Sequence, residues 1–428
     1  MVFTSFYTVV DSLFITNFVS TTALAAINIS FPIISLLTAL GFMLSSGGMA
    51  WVSIKLGEGK KDKAIKDFSL IIYFGFFVIA VLVAIILPFI DPLIRMLGAK
   101  DAVLFKYTKD YLVLLLIMSP VFILQILFQN FLLVAGKGKL ALVLTISSGL
   151  ANIVFDYLFI VVLKMGIVGA ALGTGIGYFV TAIYGCVFFL KNKNGLHLAK
   201  PSHDLKVITG TMGNGISEMV INLSVAVTTY FFNFLTLKYI GTDGVAAISI
   251  IMECQFLFSS IFYGFGMGSS PLIGFAWGAK KYKYTKNLLK LCFKINILFS
   301  VIMFGISFGG ANIITRLFCK IDNPVYGITT YGLKLFSISF LFSGISEFTS
   351  STFTSLGDGK RSGFIAFLRL FVFTVLFLTI FPVLFGITGI WLAVPAAETV
   401  MLLINIGFLY KLAKRLNVLH RNKQIGID

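Results

Sequence analysis

Charged residues are scarce in this 428-residue chain. They make up 12% of the sequence, whereas 58% is hydrophobic and the mean hydropathy is +0.98. An ordinary soluble domain carries about 25% charged residues. The composition therefore excludes a water-soluble globule and indicates a chain that folds in lipid.

Cysteine and histidine are also rare. Three of the four cysteines fall in apolar stretches and the fourth stands alone, so the sequence offers neither a disulfide framework nor metal-ligand spacing. The histidines, His197, His203 and His420, lie in polar segments. Because a membrane-embedded enzyme needs a nucleophile with a base, or metal ligands, we expect no enzyme activity and no cofactor.

Long apolar segments fill the chain from end to end. Twelve of them approach the roughly 20 residues that a helix needs to cross a bilayer. Their approximate spans are 1–18, 23–51, 67–90, 103–133, 139–162, 167–190, 205–236, 245–275, 287–309, 326–354, 362–384 and 388–411. None alternates as a barrel strand does, so helices must satisfy the backbone. We predict an all-α integral membrane protein with twelve transmembrane helices.

Lysine and arginine, which give the chain a formal net charge of +17, are concentrated in every second polar break. Examples are "KLGEGKKDKAIKD" (55–67), "KKYKYTKNLLK" (280–290) and "KLAKRLNVLHRNK" (411–423). The positive-inside rule places these segments, and both termini, on the cytoplasmic side of the cell membrane. Since the charge follows loop parity, we expect no nucleic-acid partner.

The second half of the chain repeats the first. At an offset of 221 residues, "VAGKGK" (134–139) aligns with "SLGDGK" (355–360), and at 220 "MGIVGAAL" (165–172) aligns with "FGITGIWL" (385–392). Six helices followed by six in the same orientation form a parallel repeat, which is typical of transporters. The predicted domains are an N-terminal lobe (1–190), a cytoplasmic linker (191–204), a C-terminal lobe (205–411) and a basic cytoplasmic tail (412–428).

The repeat makes the first helix look truncated. Met1 aligns with Asn222, which lies well inside the seventh segment. Residues 1–18 are only marginally long enough to span a bilayer. An in-frame apolar extension upstream would favour a different start site, and a stop codon there would favour a chain that is truly trimmed.

Several carboxylates fall inside the predicted helices. A charged group at a helix centre costs about 2.5–3.5 kcal/mol on insertion scales, so each should face protein or water. Asn152 and Asp156 are spaced i, i+4 and project from one helix face. Together they offer an amide oxygen and a carboxylate, which suit a proton or a hard cation. Competition between these two occupants supplies a coupling device.

The order and spacing of several motifs resemble the multidrug and toxic compound extrusion (MATE) family over nearly the whole chain. These motifs are "FYTVVDSLFI" (6–15), "LAAINISFPI" (24–33), "KLGEGKKDKA" (55–64), "VAGKGK", "ANIVFD" (151–156), "GIVGAALGT" (166–174), "NGISEMV" (214–220), "YGFGMGSSPLIGFAWGAKKY" (263–282), "SLGDGK" and "FGITGIWLAVPAAE" (385–398). The second half is most similar to the bacterial multidrug-exporter branch. The resemblance implies a V-shaped, two-lobed bundle that exports organic cations in exchange for Na⁺ or H⁺ by alternating access.

The resemblance also implies a cation-coupling site in the first lobe. Asp11, Asn152, Asp156 and Thr174 match family positions, and Tyr111 falls beside them. These side chains supply the hard oxygen ligands that Na⁺ requires. The alternative is a structural polar knot that locks the helices together.

Acidic residues dominate the candidates in the second lobe. Glu218 matches a family residue and, with Glu253, is predicted to bind substrate. Glu347, Arg369 and Glu398 are predicted to form a buried ion-pair network.

An alternative function is that of a flippase of the same superfamily for lipid-linked oligosaccharides or other lipids. It would need a cationic groove for pyrophosphate, whereas these candidates are mostly acidic. The partners that we expect are membrane lipids and small organic cations, and the protein should be a monomer.

Overall fold

The computed structural model describes Asp11, Phe14, Ile15 and residues 18–99, 101–192 and 195–425. Within these residues, ten helices are long and apolar enough to cross a membrane. Two more helices, which meet at a 51° bend, form an eleventh candidate span. The first predicted helix, 1–18, and its proposed truncation lie largely outside the described residues. Asp11, Phe14, Ile15 and Phe18 are helical.

Residues up to Gly215 form one compact unit. Its helices are α1 (Thr21–Gly57), α2 (Lys61–Ile86), α3 (Ile90–Met96), α4 (Ala102–Val134), α5 (Gly138–Asp156), α6 (Ile167–Lys191) and α7 (Leu205–Asn214). A π-helical segment, Tyr157–Val162, extends α5. Aromatic rings from α2, α4 and α6 fill the centre, where the ring of Phe68 lies 4.7 Å from that of Phe131 and 4.9 Å from that of Phe189.

Residues from Ile216 onward form the second compact unit. Its helices are α8 (Ile216–Tyr239), α9 (Thr242–Gly278), α10 (Tyr282–Gly309), α11 (Ala311–Phe318), α12 (Pro324–Ser337), α13 (Phe340–Ser355), α14 (Gly359–Phe367), α15 (Thr374–Phe385) and α16 (Ile387–Ile425). The bent span is α12 with α13. A π-helical segment, Leu368–Phe373, joins α14 to α15. Trp391 is fully buried in the core.

Polar residues in the breaks determine where helices begin. The Ser20 side chain accepts a hydrogen bond from the backbone N–H of Ala23 (3.1 Å) at the start of α1. Asp101 accepts two at the start of α4, from the N–H groups of Val103 and Leu104. These acceptors satisfy donors that have no partner inside the first turn.

The parallel repeat is present in the backbone as well as in the sequence. Gly136 and Gly357, one repeat apart, have φ angles of 71° and 78°, and Gly166 and Gly386 have φ angles of 60° and 57°. Such angles favour glycine because it has no Cβ. The same turns therefore recur at the same places in both units, which agrees with the predicted fold class.

The structure differs from the predicted helix boundaries at several places. The predicted helix 326–354 is bent between α12 and α13. The predicted helix 205–236 is broken at Gly215 into α7 and α8, where the chain passes so close to the carbonyl oxygen of Met43 that a Cβ would overlap it. The last helix continues beyond the predicted end at 411 to Ile425, since Leu412 and Leu416 are buried.

The predicted domain limits stay a prediction. The compact units divide after Gly215, so α7 packs with the first unit. The predicted linker also packs there, because the N–H of Ala199 donates to Ser69 Oγ (2.9 Å) and that of Ser202 to the carbonyl oxygen of Lys66 (3.1 Å).

Candidate functional site

Asn152 and Asp156 lie one turn apart at the end of α5. Asn152 is 2% exposed to solvent and Asp156 is 0% exposed. Asp156 is the last residue of the α-helix, and the π-helical segment follows it directly. Single π-helical turns widen a helix locally and are frequent at functional sites. The helix geometry therefore changes at the carboxylate itself.

The structure brings together the five predicted coupling residues. The carboxyls of Asp11 and Asp156 are immediate neighbours, and the carboxamide of Asn152 lies beside Asp156. Asn152 Nδ2 donates to Thr174 Oγ1 on α6 at 3.4 Å. Tyr111 on α4 is buried and within electrostatic reach of both carboxyls. Helices α4, α5 and α6 and the helical residue Asp11 thus supply one polar cluster inside an apolar unit.

Four acceptor oxygens of this cluster have no hydrogen-bond donor among the described residues. Asp11 Oδ1, Asn152 Oδ1 and both carboxylate oxygens of Asp156 are buried, and none accepts a hydrogen bond from a described group. A buried acceptor without a donor costs about 1–3 kcal/mol. A packing knot would be expected to pair its own polar atoms. This arrangement instead leaves acceptors open to a small positively charged ion.

Glycines on α6 make room for the cluster. A Cβ at Gly173 would overlap Asp156 Oδ1, and one at Gly177 would lie 3.4 Å from the Cβ of Asn152. Gly169, one turn earlier, faces Phe159 in the same way. Small residues at four-residue spacing let membrane helices approach closely. Our sequence reasoning missed this role, although the spacing in "GAALGTGIG" (169–177) carries the signal.

In the second unit, Arg369 lies between two carboxylates. Its Nε is 2.6 Å from Glu398 Oε1 and its Nη1 is 3.7 Å from Glu347 Oε2. The side chains of all three are at most 12% exposed. Arg369 belongs to the π-helical segment that joins α14 to α15. The three helices α13, α14–α15 and α16 are therefore joined by charge near the middle of a membrane-spanning unit.

Glu218 lies close to this ion-pair cluster, whereas Glu253 does not. Glu218 is buried in the first turn of α8, beside Tyr263 of α9 and within electrostatic reach of Glu347. Tyr263 is a further site residue that sequence reasoning missed. Glu253 is exposed, and ten residues of α9, about 15 Å of helix rise, separate it from Tyr263. The structure thus does not bring the two predicted substrate-binding residues together.

The polar cluster around Asp156 is not repeated at the matching positions of the second unit. At the offset of 221 residues, Asp11, Asn152 and Asp156 correspond to Phe232, Phe373 and Phe377, and at the offset of 220 Thr174 corresponds to Val394. All four replacements pack with the apolar core. Conversely, Arg369 takes the place of Ser148. The two units therefore share a backbone plan but carry different polar groups.

The donor set suits an alkali cation or a proton. No group of three or more His, Cys, Asp or Glu side chains that could hold a metal occurs among the described residues. The cluster around Asp156 combines two carboxylates with an amide and a hydroxyl oxygen. Such oxygen-only sets match hard cations and not the transition metals that prefer nitrogen or sulfur.

Two repeated bundles of membrane-spanning helices, with buried carboxylates that face no lipid, define an integral membrane transporter. The chain belongs to the MatE family, whose model matches residues 1–158 and 219–380. The resemblance found in the sequence is thereby confirmed.

Known proteins agree with this assignment. The chain is 27% identical over 402 residues to the multidrug export protein MepA of Staphylococcus aureus (strain MW2), an alignment that covers 92% of this chain and 87% of MepA. A structure of the outward-facing conformation of a multidrug resistance MATE family transporter of the MOP superfamily matches with a TM-score of 0.90 at 21% identity, covering 98% and 93% of the two chains. A MOP superfamily transporter from Pyrococcus furiosus, for which reverse polarity of the binding pocket suggests a different function, matches with a TM-score of 0.89 at 20% identity, covering 98% and 93%. The twelve-helix MATE fold is confirmed.

Proposed function

We propose that this protein is a secondary active exporter of organic cations, driven by exchange for Na⁺ or H⁺. The observation that carries the proposal is the cluster at Asp11 and Asp156, where the two carboxyls are neighbours and where Asp11 Oδ1, Asn152 Oδ1 and both carboxylate oxygens of Asp156 are buried and accept no hydrogen bond from a described group. We place the protein in the cell membrane with both termini in the cytoplasm, as the distribution of lysine and arginine predicts.

Electrostatics requires a positive charge at this cluster. Two unit charges 4 Å apart repel by about 4 kcal/mol at an effective dielectric constant of 20. Asp11 and Asp156 therefore do not stay ionised together unless a cation lies between them. Either a proton, which neutralises one carboxylate, or a Na⁺ ion bound between the two removes the repulsion. Asn152 Oδ1 and Thr174 Oγ1 would complete the oxygen set around Na⁺.

The charge balance of the second unit supports positively charged cargo. Glu218, Glu347 and Glu398 carry three carboxylates, and Arg369 is the one basic side chain that pairs with any of them in the described ranges. Glu218 is buried beside Tyr263 and forms no ion pair with a described basic side chain. An acidic site of this kind favours cations. We infer that Glu218 contacts cationic cargo and that Glu253, which is exposed, acts at a separate place if it contacts cargo at all.

Exchange follows when ion and cargo favour different conformations of the protein. A ligand shifts a conformational equilibrium only by the difference between its affinities for the two states. Filling the Asp11–Asp156 cluster from outside would favour one state, and cargo bound from inside would favour the other. The ion gradient then drives export.

The test is ethidium efflux from intact cells and everted vesicles with Na⁺ and pH gradients imposed separately. Asp156→Asn should abolish efflux driven by either gradient while the protein remains in the membrane. Asp62→Asn, which changes an exposed carboxylate at the start of α2, is the matched control and should keep efflux. Normal efflux by Asp156→Asn at equal expression would reject the proposal.

A further inference from the structure

A cavity of about 340 Å³ opens at the basic helix ends of the second unit. It lies where α9 ends, α14 begins and α16 continues into the basic tail. The cavity combines apolar and charged walls, which are formed by Trp277, Phe353, Asp358, Lys360, Leu412 and Arg415. It is separate from the acidic cluster around Arg369.

The unpaired charge of this cavity is positive. Asp358 is already engaged, because its carboxylate lies 2.9 Å from Arg361 Nη1 and caps the start of α14. Within residues 195–425, neither Lys360 nor Arg415 forms an ion pair. The Arg415 guanidinium lies 5.3 Å from the ring of Trp277, a cation–π contact that holds its position and leaves its charge unneutralised. Two free cations therefore line one cavity.

The tail that supplies Arg415 is fixed in place. Lys286 Nζ donates to Asn417 Oδ1 at 2.7 Å, and Lys423 Nζ donates to the carbonyl oxygen of Lys280 at 3.1 Å. The buried side chains of Leu412 and Leu416 anchor the same stretch of α16. Arg415 is thus presented by a docked helix, in a surface where basic residues far outnumber acidic ones.

We propose that this cavity binds the phosphate of an anionic phospholipid from the adjoining leaflet. The cavity lies at the ends of membrane-spanning helices, the level at which lipid headgroups and interfacial tryptophans are found. Lys360 and Arg415 would hold the phosphate by charge-assisted hydrogen bonds. Phe353 and Leu412 give an apolar wall against which the first methylenes of the acyl chains would pack. On the predicted orientation this is the cytoplasmic leaflet, where anionic lipids attract basic segments.

The first unit provides a built-in control. Lys139 corresponds to Lys360 in the repeat, but Leu56 stands in place of Trp277 and Gly195 in place of Arg415. The first unit therefore has the loop lysine without the aromatic and guanidinium partners. If the cavity and not the lysine-rich surface in general binds the lipid, only the second unit should respond.

The experiment measures binding of dihexanoyl phosphatidylglycerol to the purified, full-length protein in detergent. Lys360→Gln and Arg415→Gln should each weaken binding about fivefold, the loss expected for one basic side chain near a headgroup. Lys139→Gln should bind as the wild type does, and Arg415→Lys should keep most of the affinity because it keeps the charge. Asp156→Asn, which tests the ion exchange proposed above, should also bind normally, so the two proposals fail independently.

Two further ligands identify the source of the phosphate. Dihexanoyl phosphatidylcholine, whose choline offsets the phosphate charge, should bind more weakly than phosphatidylglycerol. Inorganic phosphate should compete poorly. Equal binding of phosphatidylcholine, equal binding of inorganic phosphate, or an equal loss in Lys139→Gln would each overturn the proposal.

Discussion

Gly173 of α6 lies against the carboxylate of Asp156 on α5 so closely that a Cβ at position 173 would overlap Asp156 Oδ1. The carboxylate therefore occupies the space that any other residue at position 173 would fill. Helix packing and the candidate cation site depend on the same contact.

Gly173→Ala should displace the Asp156 carboxylate and reduce efflux by at least about tenfold, because overpacking of this kind costs about 1–3 kcal/mol. The measurement is ethidium efflux at equal membrane expression. Gly305→Ala is the matched control, since no atom lies within 4 Å of the added Cβ. If Gly173→Ala transports normally, the carboxylate does not need its present position.

Thr174→Val should weaken binding of the coupling ion and leave cargo binding unchanged. It removes the hydroxyl that contacts Asn152 and keeps the side-chain volume, so the Na⁺ or H⁺ concentration that gives half-maximal efflux should rise about tenfold, the effect of one lost polar contact of roughly 1–2 kcal/mol. Thr181→Val is the control, because Thr181 also faces α5 but bonds to the carbonyl oxygen of Leu144. A similar rise in both variants would indicate a packing effect.

Glu218→Gln should weaken binding of cationic drugs more than that of neutral drugs. The variant keeps the shape of the side chain and removes the charge, so only a cation loses an electrostatic partner. Binding is measured by fluorescence titration of the purified protein. Glu253→Gln serves as the comparison, since Glu253 is exposed and lies on α9, whereas Glu218 is buried on α8. An equal loss for both kinds of drug would assign Glu218 a structural role.

Arg369→Met should destabilise the second unit strongly. It leaves Glu398 and Glu347 as buried charges without a partner, and breaking a buried pair in this way costs about 3–5 kcal/mol. The double variant Arg369→Met with Glu398→Gln should recover part of the loss, because the nearer carboxylate is neutralised. Thermal unfolding in detergent measures both. Absence of any recovery would show that the two residues do not act as a pair.

The sequence predicts the architecture well because lipid imposes simple rules. Segments of suitable length must be helical, and the motif repeat determines their parallel order. The pairing of Asn152 with Asp156 follows from helical spacing alone. Their convergence with Asp11, Tyr111 and Thr174 does not, and was expected only through the family resemblance.

Other features depend on contacts between distant residues. The break at Gly215 arises where the chain passes the carbonyl oxygen of Met43, far away in sequence. The π-helical segments after Asp156 and around Arg369 leave no pattern in hydropathy. The approach of Tyr263 to Glu218 joins two helices whose relative rotation no local rule gives. For Glu253 the sequence pattern was misleading, because the apolar run around it predicts a buried side chain and the structure shows an exposed one.

The replacement of the cation cluster by Phe232, Phe373, Phe377 and Val394 in the second unit has a consequence for energy conversion. Under the exchange that we propose, the described residues offer this ion-binding cluster in the first unit and not at the matching positions of the second, so duplication of the fold would not double the driving force available in each turnover. The steepest drug gradient that such an exchanger could sustain would then be limited by the charge that Asp11 and Asp156 together accept.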